Sequence, residues 1–409
     1  MAIQTFWQPS VGSSTMGRKR VKKKKAAVPK ADAAVEEEAP AERTGYVVTL
    51  ITPFDEQGAI DYEAFVALVE WHVSNGCAGV FTPCLSSEMF DLSAEERIAL
   101  AKCAKEAAAG RCAVYATGGI GKGVEAKAAD VNAIAPHCDA VVIVTSLLAG
   151  EGYDDAIWLS NAERLAALTD ANLGLYECPV PFKRLLTPAM VRTLAATNRY
   201  TFLKDTSCDL AQIRAKLDAA VGSRFRIFNA NVETLLPSLE AGCAGFCGIS
   251  ANFYPHLHAW LCLHWENPAL ADCARRIQDF LSLAEAAVCV NYPRSAKAYL
   301  RSTYGLEATE RCRVPRPAFL PHQYEALAAM ARSQRSLSAS LGIVERTPIG
   351  GVAVAGAAPP PPPPPLLPPP PPGAAAAGGS EAAAAGEALY VPTAAAWRSL
   401  LARVSALEA

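Results

Sequence analysis

Short apolar runs rich in β-branched residues alternate with longer Ala/Leu-rich stretches across residues 45–338. The runs are Tyr46–Ile51, Gly79–Phe81, Cys112–Ala116, Ala140–Thr145, Leu173–Tyr176, Thr201–Leu203, Phe225–Phe228 and Gly245–Ile249. A continuous apolar run of this length suits a strand buried on both faces of a parallel sheet. Between the runs, stretches such as Ala94–Ala109 and Glu125–Ile134 space their apolar residues like one face of a helix. Eight strands alternating with helices predict parallel βα units, and eight units suit a closed (β/α)8 TIM barrel. After the eighth run, Pro255–His264, Ala269–Ala287 and Ser295–Tyr304 predict extra C-terminal helices. A doubly wound open sheet is the rival arrangement. Its phosphate-binding fingerprint has a counterpart in Gly118-Gly119-Ile120-Gly121-Lys122-Gly123, but that turn follows the third strand and no acidic ribose partner accompanies it.

The pattern stops at both ends. Residues 1–44 show no periodicity and contain Arg18 to Lys25, seven basic residues in eight, followed by an Ala/Glu stretch. Such a segment is expected to be disordered. It reads either as a solvated tail or as a nuclear-localisation or polyanion-binding patch. Residues 339–409 hold Pro359–Pro365 and Pro368–Pro372, then Ala/Gly repeats, and this low-complexity tail is expected to be disordered too. The prolines predict a polyproline II rod, either a spacer or a ligand for a polyproline-binding domain. Trp397, Leu400, Leu401, Val404 and Leu407 predict one short terminal helix.

Composition narrows the class. The 409 residues are 51% hydrophobic with a formal net charge of −2, so nothing draws the chain toward nucleic acid or an anionic membrane surface. No apolar run approaches the roughly 18 residues that span a bilayer, so no membrane association is expected. No signal-like apolar segment sits near Met1. Thirteen scattered cysteines without a C-x-x-C predict neither a disulfide framework nor a zinc site. Reduced thiols in the cytoplasm are the expectation, and the basic run leaves the nucleus open.

In a barrel, catalytic groups project from strand C-termini and the loops after them. Lys204 ends the sixth run in Phe202-Leu203-Lys204-Asp205. Desolvation at a barrel mouth favours a neutral amine, which attacks a ketone to give a Schiff base; a solvated strand-end lysine is the plain alternative. Tyr176 ends the fifth run, and its phenol could shuttle protons or simply pack. Ser86 and Ser87 follow the second run and could donate to a substrate carboxylate or serve as turn residues. Ser93-x-x-Glu96 is a capping box, which gives both residues a structural task.

Six blocks follow one another along residues 45–338. They are Thr52-Pro53-Phe54 with Gly58-Ala59-Ile60-Asp61; Gly76-x-x-Gly79-Val80 with Ser86-Ser87-Glu88 and Leu92; Tyr176-Glu177-Cys178-Pro179; Leu203-Lys204-Asp205; Gly242-x-x-Gly245 with Ile249-Ser250 and Asn252; and Ala296-Lys297 with Arg313-x-Pro315. In kind and order they resemble the dihydrodipicolinate synthase/N-acetylneuraminate lyase family of class I aldolases. The resemblance implies that Lys204 forms an imine with a 2-oxo acid such as pyruvate and that Tyr176 relays protons while a C–C bond is cleaved or formed. It implies that Ser86, with Ser87 beside it, binds the carboxylate and that the backbone around Ile249 lines the pocket. It implies no metal, no organic cofactor, and a homo-oligomer, tetramer or dimer.

The departures bear on substrate. Leu85 stands where the family places a relay Thr or Ser, and Leu148 where synthases place a Tyr that reaches a neighbouring subunit. Pro181 stands in place of the arginine that grips the second substrate's carboxylate. Val232 and Ala230 replace an Asp and a Gly of the seventh-strand block that meets sugar hydroxyls in the lyases. Lys183 and Arg184 lie close enough in sequence to substitute for the missing charge. The expectation is a lyase acting on a 2-oxo acid with a rather apolar second half, and not dihydrodipicolinate synthesis itself. A non-catalytic barrel with a metabolite-binding or scaffolding role is the alternative.

Overall fold

The computed structural model describes residues 44–306 and 309–347. Among them eight strands pair in parallel: β1 (Gly45–Thr49), β2 (Gly79–Phe81), β3 (Ala113–Gly118), β4 (Ala140–Val144), β5 (Leu173–Tyr176), β6 (Tyr200–Asp205), β7 (Arg226–Asn229) and β8 (Gly245–Phe246). They follow chain order around a closed ring, and β8 pairs with β1. Closure removes the open-sheet rival. The glycine run is the turn from β3 into α3 (Gly123–Ile134), where Ile120 N–H donates to Asp130 at 2.7 Å and the Lys127 ammonium donates to the Gly121 carbonyl. The seam itself demands glycine. At Gly245 (φ +152°) an added Cβ would lie 1.6 Å from the Gly45 carbonyl oxygen, so the two backbones meet with no room for a side chain.

Strand residues alternate between two surroundings. Val47, Phe81, Tyr115, Val142, Tyr176, Phe202 and Phe228 fill the barrel interior. Leu173, Leu175, Leu203 and Ile227 face the helices instead. With a period of two, Lys204 shares the inward face of Phe202, while Glu177 and Asp205 fall on the outward face. The surrounding helices are α1 (Tyr62–Ser74), α2 (Ala94–Ala108), α3, α4 (Asp155–Ala167), α5 (Pro188–Ala196), α6 (Leu210–Ala220), α7 (Leu235–Glu240) and α8 (Pro255–His264). Asp61, Ser93, Asp154, Thr187 and Asp209 each accept a backbone N–H at a helix start, and Ser93 and Glu96 close the expected capping box.

Three helices complete the shell: α9 (Ala271–Val288), α10 (Arg294–Tyr304) and α11 (Pro321–Leu341). The sequence reading lacks α11, and the helix runs past the boundary expected at residue 338. Its buried face carries Gln334 and Ser338, which break the apolar stripe and are met by Glu345 and His256. Beyond it the chain stays packed, because the Arg346 carbonyl accepts from Trp71 Nε1 and Asn75 Nδ2. The eighth strand is shorter than expected: Gly248 gives its carbonyl to Thr49 Oγ1 and the chain turns into a 3-10 segment at Ile249–Asn252. The basic run, the proline runs and the spacing at Trp397 lie outside the described residues. No helix among the described residues is long and apolar enough to cross a membrane.

Two histidines sit wholly inside. His72 lies 3.4 Å from the Tyr46 hydroxyl, and His258 meets Ser250 Oγ at 3.1 Å beneath the stacked ring of Tyr254. Burial lowers both from 6.5 to about 3, so the folded chain keeps them neutral where an unfolded chain would protonate them. Their stabilising effect is present above pH 6.5 and is lost as pH falls toward about 3. Glu285 works the other way, because burial raises its carboxyl from 4.5 to about 7 and its contribution fades as pH rises through that value. Between those ranges the buried histidines outweigh the carboxyl, so stability falls as pH falls. The thermal midpoint is therefore expected to fall steadily from pH 6.5 to 4.5; a flat or rising midpoint in a pH series would contradict this assignment.

Candidate active site

Lys204 and Tyr176 stand opposite each other at the C-terminal ends of β6 and β5. The Lys204 ammonium lies 4.5 Å from the centre of the Tyr176 ring, and the two residues are 5% and 4% exposed. Beneath them the interior is aromatic. Phe202 stacks on Tyr115 at 4.3 Å, and Phe81 meets the Tyr176 ring edge-on at 5.8 Å. Burial raises the Tyr176 phenol well above its ordinary 10, so it holds its proton across the neutral range.

Three thiols line this chamber. Cys84, Cys178 and Cys247 belong to the same interior cluster as Tyr176, and the Cys178 N–H donates to the Tyr176 carbonyl at 2.8 Å. Burial pushes the Cys178 and Cys247 thiols up to about 12 even though the Lys204 ammonium pulls the other way. They act as small, neutral walls. Cys178 lies inside the Tyr176–Pro179 block, and Cys84 and Cys247 lie within two residues of block positions.

The loop after β2 forms a second wall. Ser87 Oγ donates to the Leu50 carbonyl at 2.6 Å and accepts from Cys84 N–H at 3.0 Å, so Ser87 holds the turn and has no hydrogen left to offer a ligand. Ser86 is buried, with the Tyr292 hydroxyl as its neighbour. That hydroxyl, from the segment between α9 and α10, also accepts from Asn252 Nδ2 at 3.1 Å and touches Thr49. Glu88 anchors the loop from behind. Its carboxylate takes the buried Lys297 ammonium at 2.8 Å and the Arg313 N–H at 2.6 Å. Tyr292 escaped notice because it belongs to no strand end, and Asn252 and Lys297 had been read only as motif markers.

The expectation at Ile249 concerns its backbone, and the side chains there divide between two surroundings. The Ile249 side chain packs against the large helix-side cluster, whereas Cys247, two residues earlier, sits in the interior cluster beside the Lys204 ammonium. Strand pairing explains it: Cys247 N–H still bonds the Asn229 carbonyl, and the chain turns away only afterwards.

The departures are apolar in place. Leu85, Leu147 and Phe90 pack against the interior cluster next to Val180 and Met89. Leu148 turns instead into the outer cluster that holds Trp158, and Val232 into the helix-side cluster. Arg184 does not replace the missing charge, since its guanidinium bonds Asp155 at 3.0 Å and the Tyr153 carbonyl at 2.9 Å. Lys183 is exposed. Another lysine, Lys216, lies behind the strand ends with its ammonium 2.6 Å from both Glu177 and Asp205. Of the two buried amines at these strand ends, Lys204 is the one on the inward face. Among the described residues no cluster of His, Cys, Asp or Glu is arranged to hold a metal ion.

Comparison with known proteins agrees with this geometry. Residues 42–334 match the dihydrodipicolinate synthetase family. The 4-hydroxy-tetrahydrodipicolinate synthase of Gluconacetobacter diazotrophicus is 28% identical over 272 residues, covering 66% of this chain and 90% of that protein. Dihydrodipicolinate synthase from Thermotoga maritima superposes with a TM-score of 0.65 at 18% identity, covering 72% of this chain and 99% of that one. The chloride-inhibited dihydrodipicolinate synthase of Acinetobacter baumannii complexed with pyruvate gives a TM-score of 0.63 at 21% identity, covering 73% and 99%. At such identities the structural likeness speaks for the barrel alone. The family match spans well over half of the chain and includes every element that builds the chamber, and on it the chain belongs to the dihydrodipicolinate synthetase family of class I aldolase-type lyases.

Proposed function

We propose that this chain makes or breaks a C–C bond of a pyruvate-type 2-oxo acid through a Lys204 Schiff base. The observation that carries the reading is the buried Lys204 amine on the face of a protonated Tyr176, at the mouth of an aromatic-floored barrel. The neutral amine attacks C2, and the former carbonyl oxygen leaves as water after accepting two protons. Tyr176 is placed to deliver and recover them. The protonated imine then withdraws electrons while C3 gives up a proton, and the resulting enamine attacks an aldehyde carbon. Run backwards, the same steps cleave. Ser86 and Tyr292 supply neutral donors for the substrate carboxylate. The chain is proposed to act as a cytoplasmic homo-oligomer, and the proline runs to engage a domain with an aromatic groove.

Borohydride reduction in the presence of pyruvate, followed by intact mass, tests the reading. One reduced pyruvyl increment per chain is expected. An unchanged mass at saturating pyruvate would favour the non-catalytic barrel.

The rim of Leu85, Phe90, Leu147 and Val180 favours an apolar second substrate. Dihydrodipicolinate synthesis is accordingly expected to be very weak, although the relatives above carry the synthase name. Pro181 offers no side-chain donor to a second carboxylate, and Arg184 is engaged elsewhere. An anion left without its guanidinium in a closed pocket costs about 2–5 kcal/mol, which is roughly 30- to several-thousand-fold in rate. Turnover of pyruvate with aspartate semialdehyde measures it: a kcat/KM of about 10⁴ M⁻¹s⁻¹ or more, within the ordinary enzyme range, would sink the exclusion.

A further inference from the structure

We infer that Lys216, on α6, is a positioning residue that fixes Tyr176 against Lys204, an inference that rests on the Schiff-base reading above. Its ammonium bridges Glu177 Oε1 and Asp205 Oδ2 at 2.6 Å each, and the three side chains are 0–1% exposed. Glu177 directly follows Tyr176, and Asp205 directly follows Lys204. Because strand side chains alternate, the ion triad lies on the outward face of the same two strand ends whose inward face carries the reacting pair.

Most of the triad's remaining contacts tie down backbone. Glu177 accepts from Leu186 N–H at 2.8 Å and from Thr206 N–H at 3.0 Å, and its own carbonyl accepts from Thr206 Oγ1 at 2.6 Å. Asp205 Oδ1 takes Ser207 N–H at 2.8 Å and Ser207 Oγ at 2.6 Å. The exits of β5 and β6 are thereby joined to each other, to the loop that begins at Cys178, and through Lys216 to α6. Two carboxylates on adjacent strand ends repel, and burial raises the cost of both charges. The single ammonium between them lets the ends sit side by side. Without it the carboxylates either separate or share a proton, and both responses move the backbone that aims the phenol and the amine.

Stability alone is a poor reason for this arrangement. Buried ion triads are often matched or exceeded in stability by apolar side chains of similar volume. Placement of reacting groups is a better one, since an error of about 1 Å in a catalytic geometry can cost about 10²-fold.

The test measures borohydride trapping of pyruvate by the full chain over time, as a function of pyruvate concentration, for the parent, Lys216→Met and Glu177→Gln. Glu177→Gln keeps the shape but sets an amide N–H₂ among donors. For each variant the limiting trapping rate is expected to fall about 10- to 100-fold. The half-saturating pyruvate concentration should stay within about threefold, because the Ser86 wall is untouched and only the reacting geometry has changed. The final trapped fraction should approach the parent's. Should Lys216→Met fail to give a cooperative thermal transition, Glu177→Gln carries the same expectation. A folded variant that traps at the parent's limiting rate overturns the inference. So does a variant whose only change is a lower midpoint and a smaller trapped fraction, the pattern of a merely structural role. If the parent itself traps nothing, the Schiff-base reading falls and takes this inference with it.

Discussion

Lys204→Ala is expected to abolish the borohydride-trapped pyruvyl adduct while leaving the barrel folded. The side chain points into a chamber floored by Phe202 and Tyr115, and the contact of its ammonium is the Tyr176 ring. Truncation therefore removes the amine presented there among the described residues without stranding a buried carboxylate. This matters because the chain has a second buried lysine close by. Lys216 cannot stand in, since its ammonium is held between two carboxylates at 2.6 Å on the other face of the strands. An ammonium so held is the protonated form, and both partners push its pKa upward against burial. A protonated amine has no lone pair with which to attack a ketone. Surface lysines lack any wall to desolvate a substrate. Intact mass before and after reduction reads the result directly, and a thermal melt checks the fold. An adduct that survives in Lys204→Ala would mean that another amine is the nucleophile, and the assignment of the chamber would have to be abandoned.

The barrel was legible because its cause is local and repeated. Eight apolar runs separated by helical spacing admit few arrangements, and seven of the eight strands lie close to where the pattern puts them. The eighth fails at its end because its turn is set by hydrogen bonds with β1: Thr49 Oγ1 donates to the Gly248 carbonyl, and Asn252 Nδ2 donates to the Thr49 carbonyl. Those partners lie some 200 positions away, and no window of sequence contains both. Helix α11 was hidden for a related reason, since Gln334 on its buried face looks like a solvent position until Glu345 folds back over it.

The site divides in the same way. Lys204 and Tyr176 could be picked out as polar residues closing apolar strands. Cys247 could not be preferred to Ile249 without knowing where the strand lets go. Tyr292 enters from beyond the barrel, and a lone tyrosine before a proline carries no mark of that. Lys216 left a readable trace. It stands on the buried face of α6 with Ile213, Ala219 and Ala220, where a lysine demands a buried counter-charge. Two candidates, Glu177 and Asp205, each adjoin a residue already singled out.

Tyr176→Phe is expected to slow C3 proton exchange of pyruvate by roughly 10²–10⁴-fold, the usual loss on removing a general acid–base group. Exchange in D₂O, followed by NMR of the pyruvate methyl group, reports formation of the enamine and needs no knowledge of the second substrate. The substitution is a narrow one. Phenylalanine keeps the ring on which the Lys204 ammonium rests and the edge-on contact with Phe81, and it loses only the hydroxyl. The hydroxyl is well suited to the task because burial holds it protonated through the neutral range, so that it can give a proton to the departing oxygen without first acquiring one. Its neighbours cannot take over. Leu85 has no hydroxyl, and the Cys178 and Cys247 thiols are held up at about 12. Ser86 and Tyr292 lie on the carboxylate side, where the Tyr292 hydroxyl accepts from Asn252. Water remains as a poor substitute in a chamber whose walls are this apolar, which is why the trapped adduct should still form slowly at high pyruvate while exchange nearly stops. A change of less than about threefold in exchange, set against the expected loss, would return Tyr176 to the role of a packed ring and move the proton transfer to the Ser86–Tyr292 wall.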